Sequence, residues 1–84
     1  MIVTTNVFHA DTKERICVPS VFEFYRMTIA NKGNDEVYIR FKKGEKEEHF
    51  TIKPKESKEI KGYIPYFFAK AKSGKQRLEI LCIG

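Results

Sequence analysis

Apolar and polar residues alternate along most of this chain in short runs closed by turn residues, and no stretch carries the i, i+3, i+4, i+7 spacing of an amphipathic helix. Residues 2–8 make a first run, and residues 15–18 a shorter second one stopped by Pro19. The longest covers 22–31, with Tyr25, Met27 and Ile29 on one face. Phe22 and Phe24 have the opposite parity, and a bulge near Glu23 or Phe24 would bring them to the same side. Residues 31–35 (NKGND) read as a turn, with Gly33 and Asn34 both able to take positive φ. Residues 36–43 then place Val37, Ile39 and Phe41 inward and Tyr38, Arg40 and Lys42 outward. After a turn at 43–47, residues 48–53 bury Phe50 and Ile52. Pro54 closes that strand because it cannot continue a central ladder. A short strand around Ile60, a strand at 66–72 and a turn at 73–76 follow. The last run, 77–83, turns Leu78, Ile80 and Cys82 inward.

Seven or eight short strands at this spacing predict an all-β fold: a small antiparallel β-sandwich, or a barrel of jelly-roll or Greek-key type. With 84 residues the chain is one domain, 1–84. A chain of this length buries only about 60–65% of the surface its unfolded form exposes, so the core is small.

Hydrophobic residues at 42% and charged ones at 32% fit a folded, highly soluble domain. The net charge of +5 is unevenly placed. Residues 1–52 hold 8 basic and 8 acidic side chains, whereas residues 53–84 hold 8 and 3, so the whole surplus lies in the C-terminal part. Outward lysines on amphipathic strands keep a sheet face solvated and discourage edge-to-edge pairing. The N-terminal residues lack the basic region, unbroken apolar core and small-residue cleavage site of a secretory leader. No apolar run approaches the roughly 18 residues of a membrane span, so no membrane contact is expected. Cys17 and Cys82 are too few for a disulfide framework and are read as reduced, small apolar residues.

Candidate chemistry is sparse. His9, placed after a strand and before a loop, and His49, an outward strand residue, have no nucleophile or orienting partner in sequence. Cys17, Cys82, His9 and His49 show none of the C-x₂-C or H-x₃-H spacings of zinc sites. The carboxylates Glu45, Glu47 and Glu48 crowd a turn among Lys42, Lys43 and Lys46, and the glycines stand singly at turns rather than in a phosphate loop. No catalytic residue, metal ligand or cofactor is expected, and no enzymatic activity. One constellation combines aromatics and bases. Tyr66, Phe68, Lys70 and Lys72 share the outward parity of their strand, opposite Phe67, Ala69 and Ala71. Tyr38, Arg40 and Lys42 form a second outward row. Such a face fits a protein interface, where aromatics are enriched, or a solvated sheet, or a single-stranded nucleic-acid platform. Arg is scarce, four against twelve Lys, which places the oligonucleotide-binding β-barrel behind the interface.

From Met27 onward the text MTIANKGNDEVYIRF, and then FTIKPKESKEIKGYIPYFFAKAKSGKQRLEIL, resembles a family of small structural proteins of tailed-phage virions. In those proteins a strand ends in a T-x-x-N-x-G turn, here Thr28, Asn31 and Gly33. Another ends in a Pro-containing turn before a Ser and an apolar residue, here Pro54, Ser57 and Ile60. An aromatic-alanine strand, a Ser-Gly turn and a final aliphatic strand follow. Lys55 stands where those proteins carry Gly. The resemblance covers about two-thirds of the chain, and it implies that residues 1–26, outside it, are an arm or peripheral strands that contact a neighbouring subunit. It implies a β-sandwich without catalysis that assembles with capsid, neck or tail subunits, in particular as a capsid decoration or stabilising protein. It further implies a homo-oligomer, a trimer among the states expected, made in the host cytoplasm and residing in the virion.

Overall fold

The alternation becomes eight antiparallel strands in the computed structural model, which describes residues 2–84. They are β1 (Val3–Ala10), β2 (Arg15–Cys17), β3 (Arg26–Asn31), β4 (Val37–Lys43), β5 (Lys46–Ile52), β6 (Ser57–Lys61), β7 (Phe67–Ala71) and β8 (Gln76–Ile83). No helix is present among the described residues. Two four-stranded sheets form, in the orders β1-β8-β3-β6 and β2-β7-β4-β5. The fold is therefore the all-β, two-sheet arrangement that the pattern predicts.

Its core lies between the inner faces. Met27 and Ile29 of β3 and Leu78, Ile80 and Cys82 of β8 come from one sheet. Val37, Ile39 and Phe41 of β4, Ile52 of β5 and Phe67, Ala69 and Ala71 of β7 come from the other. Small Ala69 and Ala71 beside bulky Phe67 give the inner face of β7 an uneven relief, and all three are buried between the layers. The most apolar strands occupy central positions, while charged β5 and β6 and three-residue β2 sit at edges. Residues 1–26, expected as an arm or as peripheral strands, hold the edge strands β1 and β2, and β1 pairs with β8 along its whole length.

Two buried amides hold one end of the sandwich. Asn31, fully buried, donates from Nδ2 to the carbonyls of Asp35 (2.8 Å) and Ile52 (2.9 Å), and its Oδ1 accepts from Gly33 N–H (2.9 Å). Gln76 accepts at Oε1 from the N–H groups of Asn34 (2.6 Å) and Asp35 (3.1 Å) and donates from Nε2 to Ser73 carbonyl (2.8 Å). Both Asn31 N–H donors are used, which is what a buried amide requires. Ser73 Oγ also donates to Asp35 Oδ2 (2.5 Å), and this bond is the main cause that lowers the Asp35 carboxyl below its ordinary pKa.

Several local readings need correction. Gly33 and Asn34 do not take positive φ; the residues that do are Gly44, Lys55, Gly62 and Gly74. Gly33 is glycine for a different reason: a Cβ there would lie 2.9 Å from Gln76 Cβ. The 22–31 strand begins only at Arg26. No bulge forms, because residues 21–25 are loop. From that loop Phe24 is buried against Tyr63 (centroids 5.0 Å apart), while Tyr25 points to solvent rather than inward. Phe50 is only half-buried, since β5 is an edge, and packs edge-on against Phe41. His9 belongs to β1, which runs on to Ala10, and Gln76 opens β8 rather than closing a turn.

Both thiols are free and buried. Burial, with a smaller contribution from Cys82, pushes the Cys17 thiol up to about 12, far from the thiolate needed for reactivity. Phe67, wholly buried on a central strand, is the largest such side chain. Phe67→Ala is expected to cost about 3–5 kcal/mol, read as a lowered urea midpoint at unchanged slope. A loss below about 1 kcal/mol would show that the inter-sheet core is not closed around this ring.

Candidate functional site

Strand register assembles the two outward rows into one face. β4 pairs with β7 so that Tyr38 lies opposite Lys70 and Arg40 opposite Phe68. On the far side of β7, Ile16 of β2 faces Phe68; on the far side of β4, His49 of β5 faces Arg40 and Thr51 faces Tyr38. One row across the sheet thus reads Ile16, Phe68, Arg40, His49, and the next reads Lys70, Tyr38, Thr51. Tyr66 extends the aromatic column, its ring 5.7 Å from Phe68 at 81°. Such an edge-to-face pair is worth about 0.5–1.5 kcal/mol beyond burial, so the two rings support each other's orientation. Ile16, 54% exposed, adds an apolar flank that parity alone did not reveal.

Arg40 organises this face. Its guanidinium carbon stands 4.4 Å over the Phe68 ring centroid, a cation–π stack. Glu14, just before β2, receives Nη2–H at 2.6 Å and Nε–H at 3.2 Å, a bidentate fork. Glu47 of β5 accepts from Nη1 at 3.5 Å. The hydrogen bond from Arg40 is the main cause holding the Glu14 carboxyl below the ordinary glutamate range. Between Arg40, Tyr38, His49 and Lys70 the surface dips into a shallow depression of about 370 Å³.

The remaining residues divide. Lys42 lies opposite Glu47, one strand over. Lys72, beyond the end of β7, approaches Glu36 (3.9 Å). The structure therefore brings Tyr38, Arg40, Lys42, Tyr66, Phe68 and Lys70 onto one sheet face and sets Lys72 at its margin. It also places three carboxylates, Glu14, Glu36 and Glu47, among cations that parity alone presents as a basic row. Glu47 shares the outward parity of His49 and Thr51, so its position is implied by alternation; Glu14 arrives through a pairing 26 residues distant and leaves no local signal.

No protein-family model, no curated protein and no solved structure matches the chain. Among the described residues no three His, Cys, Asp or Glu side chains converge as a metal cage, and His9 and His49 lie on strands of different sheets.

The Glu14–Arg40 fork has a pH signature. A carboxyl whose folded-state pKa is lowered contributes stability above its unfolded pKa and loses it as pH falls through the folded value. Carboxyl-carbon NMR is expected to show Glu14 titrating below a free glutamate, and Arg40→Leu should return it toward the ordinary range. An unchanged Glu14 titration in Arg40→Leu would show that the fork does not set the Glu14 carboxyl.

Proposed function

We propose that this chain is a non-enzymatic structural protein of a tailed-phage virion, a capsid-decoration or stabilising subunit that binds other virion proteins and associates with itself. One observation carries the reading: an aromatic row on a regular sheet, beside an arginine whose charge is already matched. A partner docking on Tyr66, Phe68 and Tyr38 desolvates a guanidinium that keeps its carboxylate partners, so Arg40 is not buried as an unpaired charge. Rigid aromatics next to Arg are what the centres of protein interfaces use.

The strand orders β1-β8-β3-β6 and β2-β7-β4-β5 support reading the sandwich as a jelly roll, in which two Greek keys interleave. That architecture serves in viral capsid domains, though also in lectins and cupins, so the surface and not the fold decides the function. Two details support the family resemblance. Lys55 takes φ +66°, the conformation glycine adopts at no cost, at the place where the resembled proteins carry glycine. Asn31 and Gly33, the N and G of the T-x-x-N-x-G turn, are the buried bridge and the close approach described above.

The competing use is single-stranded nucleic-acid binding. It needs free stacking rings and free cations. Here one face of Phe68 is covered by Arg40, and Arg40 is held by Glu14. Phage particles purified from the producing culture are expected to carry the chain at a fixed ratio to the major capsid protein. Phe68→Ala should impair its attachment to particles while leaving weak binding to mixed-sequence oligonucleotides unchanged. Sub-micromolar oligonucleotide binding at physiological salt would contradict the proposal. So would a Phe68→Ala loss of about 1–3 kcal/mol with a slope in log salt near −0.7 per phosphate contact.

A further inference from the structure

We infer that the free edge of β1 is a pairing seam for a second copy of this chain, β1 lying antiparallel against β1 of the copy across a two-fold axis beside Asn6. Two four-stranded sheets thereby join into one of eight strands. This inference rests on the backbone and charge of β1 and is independent of the virion reading.

The hydrogen-bond phase of β1 sets which groups are free. Ile2 and Gly84 exchange both backbone bonds, Ile2 N–H to Gly84 carbonyl at 3.0 Å and Gly84 N–H to Ile2 carbonyl at 2.8 Å. In an antiparallel pair such bonded positions alternate, so Thr4, Asn6, Phe8 and Ala10 turn their backbone groups to β8. Val3, Thr5, Val7 and His9 turn theirs away, and among the described residues no loop backbone bonds them. This is an eight-residue edge with a row of open donors and acceptors.

The four edges are not alike. β5 carries Lys46, Glu47 and Glu48; β6 carries Lys58, Glu59 and Lys61; β2 is three residues long and begins with Arg15. Those are the devices by which edges resist pairing. β1 has no charged side chain from Val3 to Phe8. Val3 and Val7 are 49% and 51% exposed, and the half-buried Ile83 and Leu81 lie beside Val3 and Thr5 on β8. The nearest charges, Arg77 and Glu79, bond each other at 3.2 Å.

Charge selects the occupant. Each copy carries +5, so most approaches of two copies bring lysines together, which costs free energy. The β1 seam is uncharged and self-complementary. With the two-fold beside Asn6, Thr5 of one copy meets Val7 of the other and Val3 meets His9, each pair exchanging two hydrogen bonds.

Sedimentation equilibrium of the full chain, from low micromolar to near-millimolar concentration, tests this. The mass is expected to rise from 9.8 kDa to twice that value and stop. Amides of Thr5 and Val7 should exchange slowly in the concentrated sample and quickly in the dilute one. Val7→Lys, which sets two ammonium groups on the symmetric seam, should weaken dimerisation by about a hundredfold or more with the far-UV spectrum unchanged. Thr5→Lys should do the same, and Phe68→Ala on the opposite sheet should leave the dimer intact. A monomer at near-millimolar concentration, a trimeric mass, a dimer that survives Val7→Lys in a folded variant, or exchange at Thr5 and Val7 that ignores concentration would each overturn the inference.

Discussion

Buried Asn31 is the constraint on which the arrangement of the two sheets depends. It sits on β3 of one sheet, yet its Nδ2 reaches the Ile52 carbonyl on β5 of the other, so a single side chain ties the layers together. Its backbone carries the same burden: Asn31 N–H donates to Glu56 carbonyl and Lys55 N–H donates to Asn31 carbonyl, fixing the β5–β6 turn. Gln76 completes the tie from β8 by holding Asn34 and Asp35 N–H groups. A buried amide with an unmade bond costs roughly 1–3 kcal/mol, a large share of the stability of so small a domain. Slippage of either sheet would strand both amides, which gives the sandwich one register.

A fixed sandwich displays its two outer faces rigidly, and they differ. The β2-β7-β4-β5 face holds aromatics, cations and carboxylates, with Arg40 stacked on Phe68 and bonded to Glu14 and Glu47. The β1 border of the other face is uncharged and presents open backbone groups. The aromatic face and the unpaired β1 edge lie on different sheets and share no residues. The lysine surplus then has a plain role: it keeps the remaining surface solvated and unpaired.

Much of the core was legible in sequence because it depends on period two alone. Val37, Ile39 and Phe41, Phe67, Ala69 and Ala71, and Leu78, Ile80 and Cys82 all lie inward as alternation demands. The outward row from Tyr38 to Lys70 was legible for the same reason. What alternation cannot carry is register between distant strands. It could not show that Arg40 would stand over Phe68, or that Glu14 would close on Arg40. Loop residues were misread where a local rule had a tertiary competitor. Tyr25 looked like a strand residue until Phe24 took the buried place against Tyr63. Gly33 looked like a turn glycine, whereas what excludes a side chain there is Gln76, 43 positions later. The free edge of β1 was invisible for a related reason, because only strand order reveals which strand has no second neighbour.

Asn31 and Gln76 act as one lock through the shared 33–35 turn, Asn31 bonding Asp35 carbonyl and Gln76 bonding Asp35 N–H. A double-mutant cycle of Asn31→Ala and Gln76→Ala, read by urea unfolding, tests it most directly. A single lock gives a coupling of about 0.5–3 kcal/mol, the second substitution costing less once the first has released the turn. Additive losses, with coupling within about 0.3 kcal/mol of zero, would contradict it by showing two independent contacts rather than one lock.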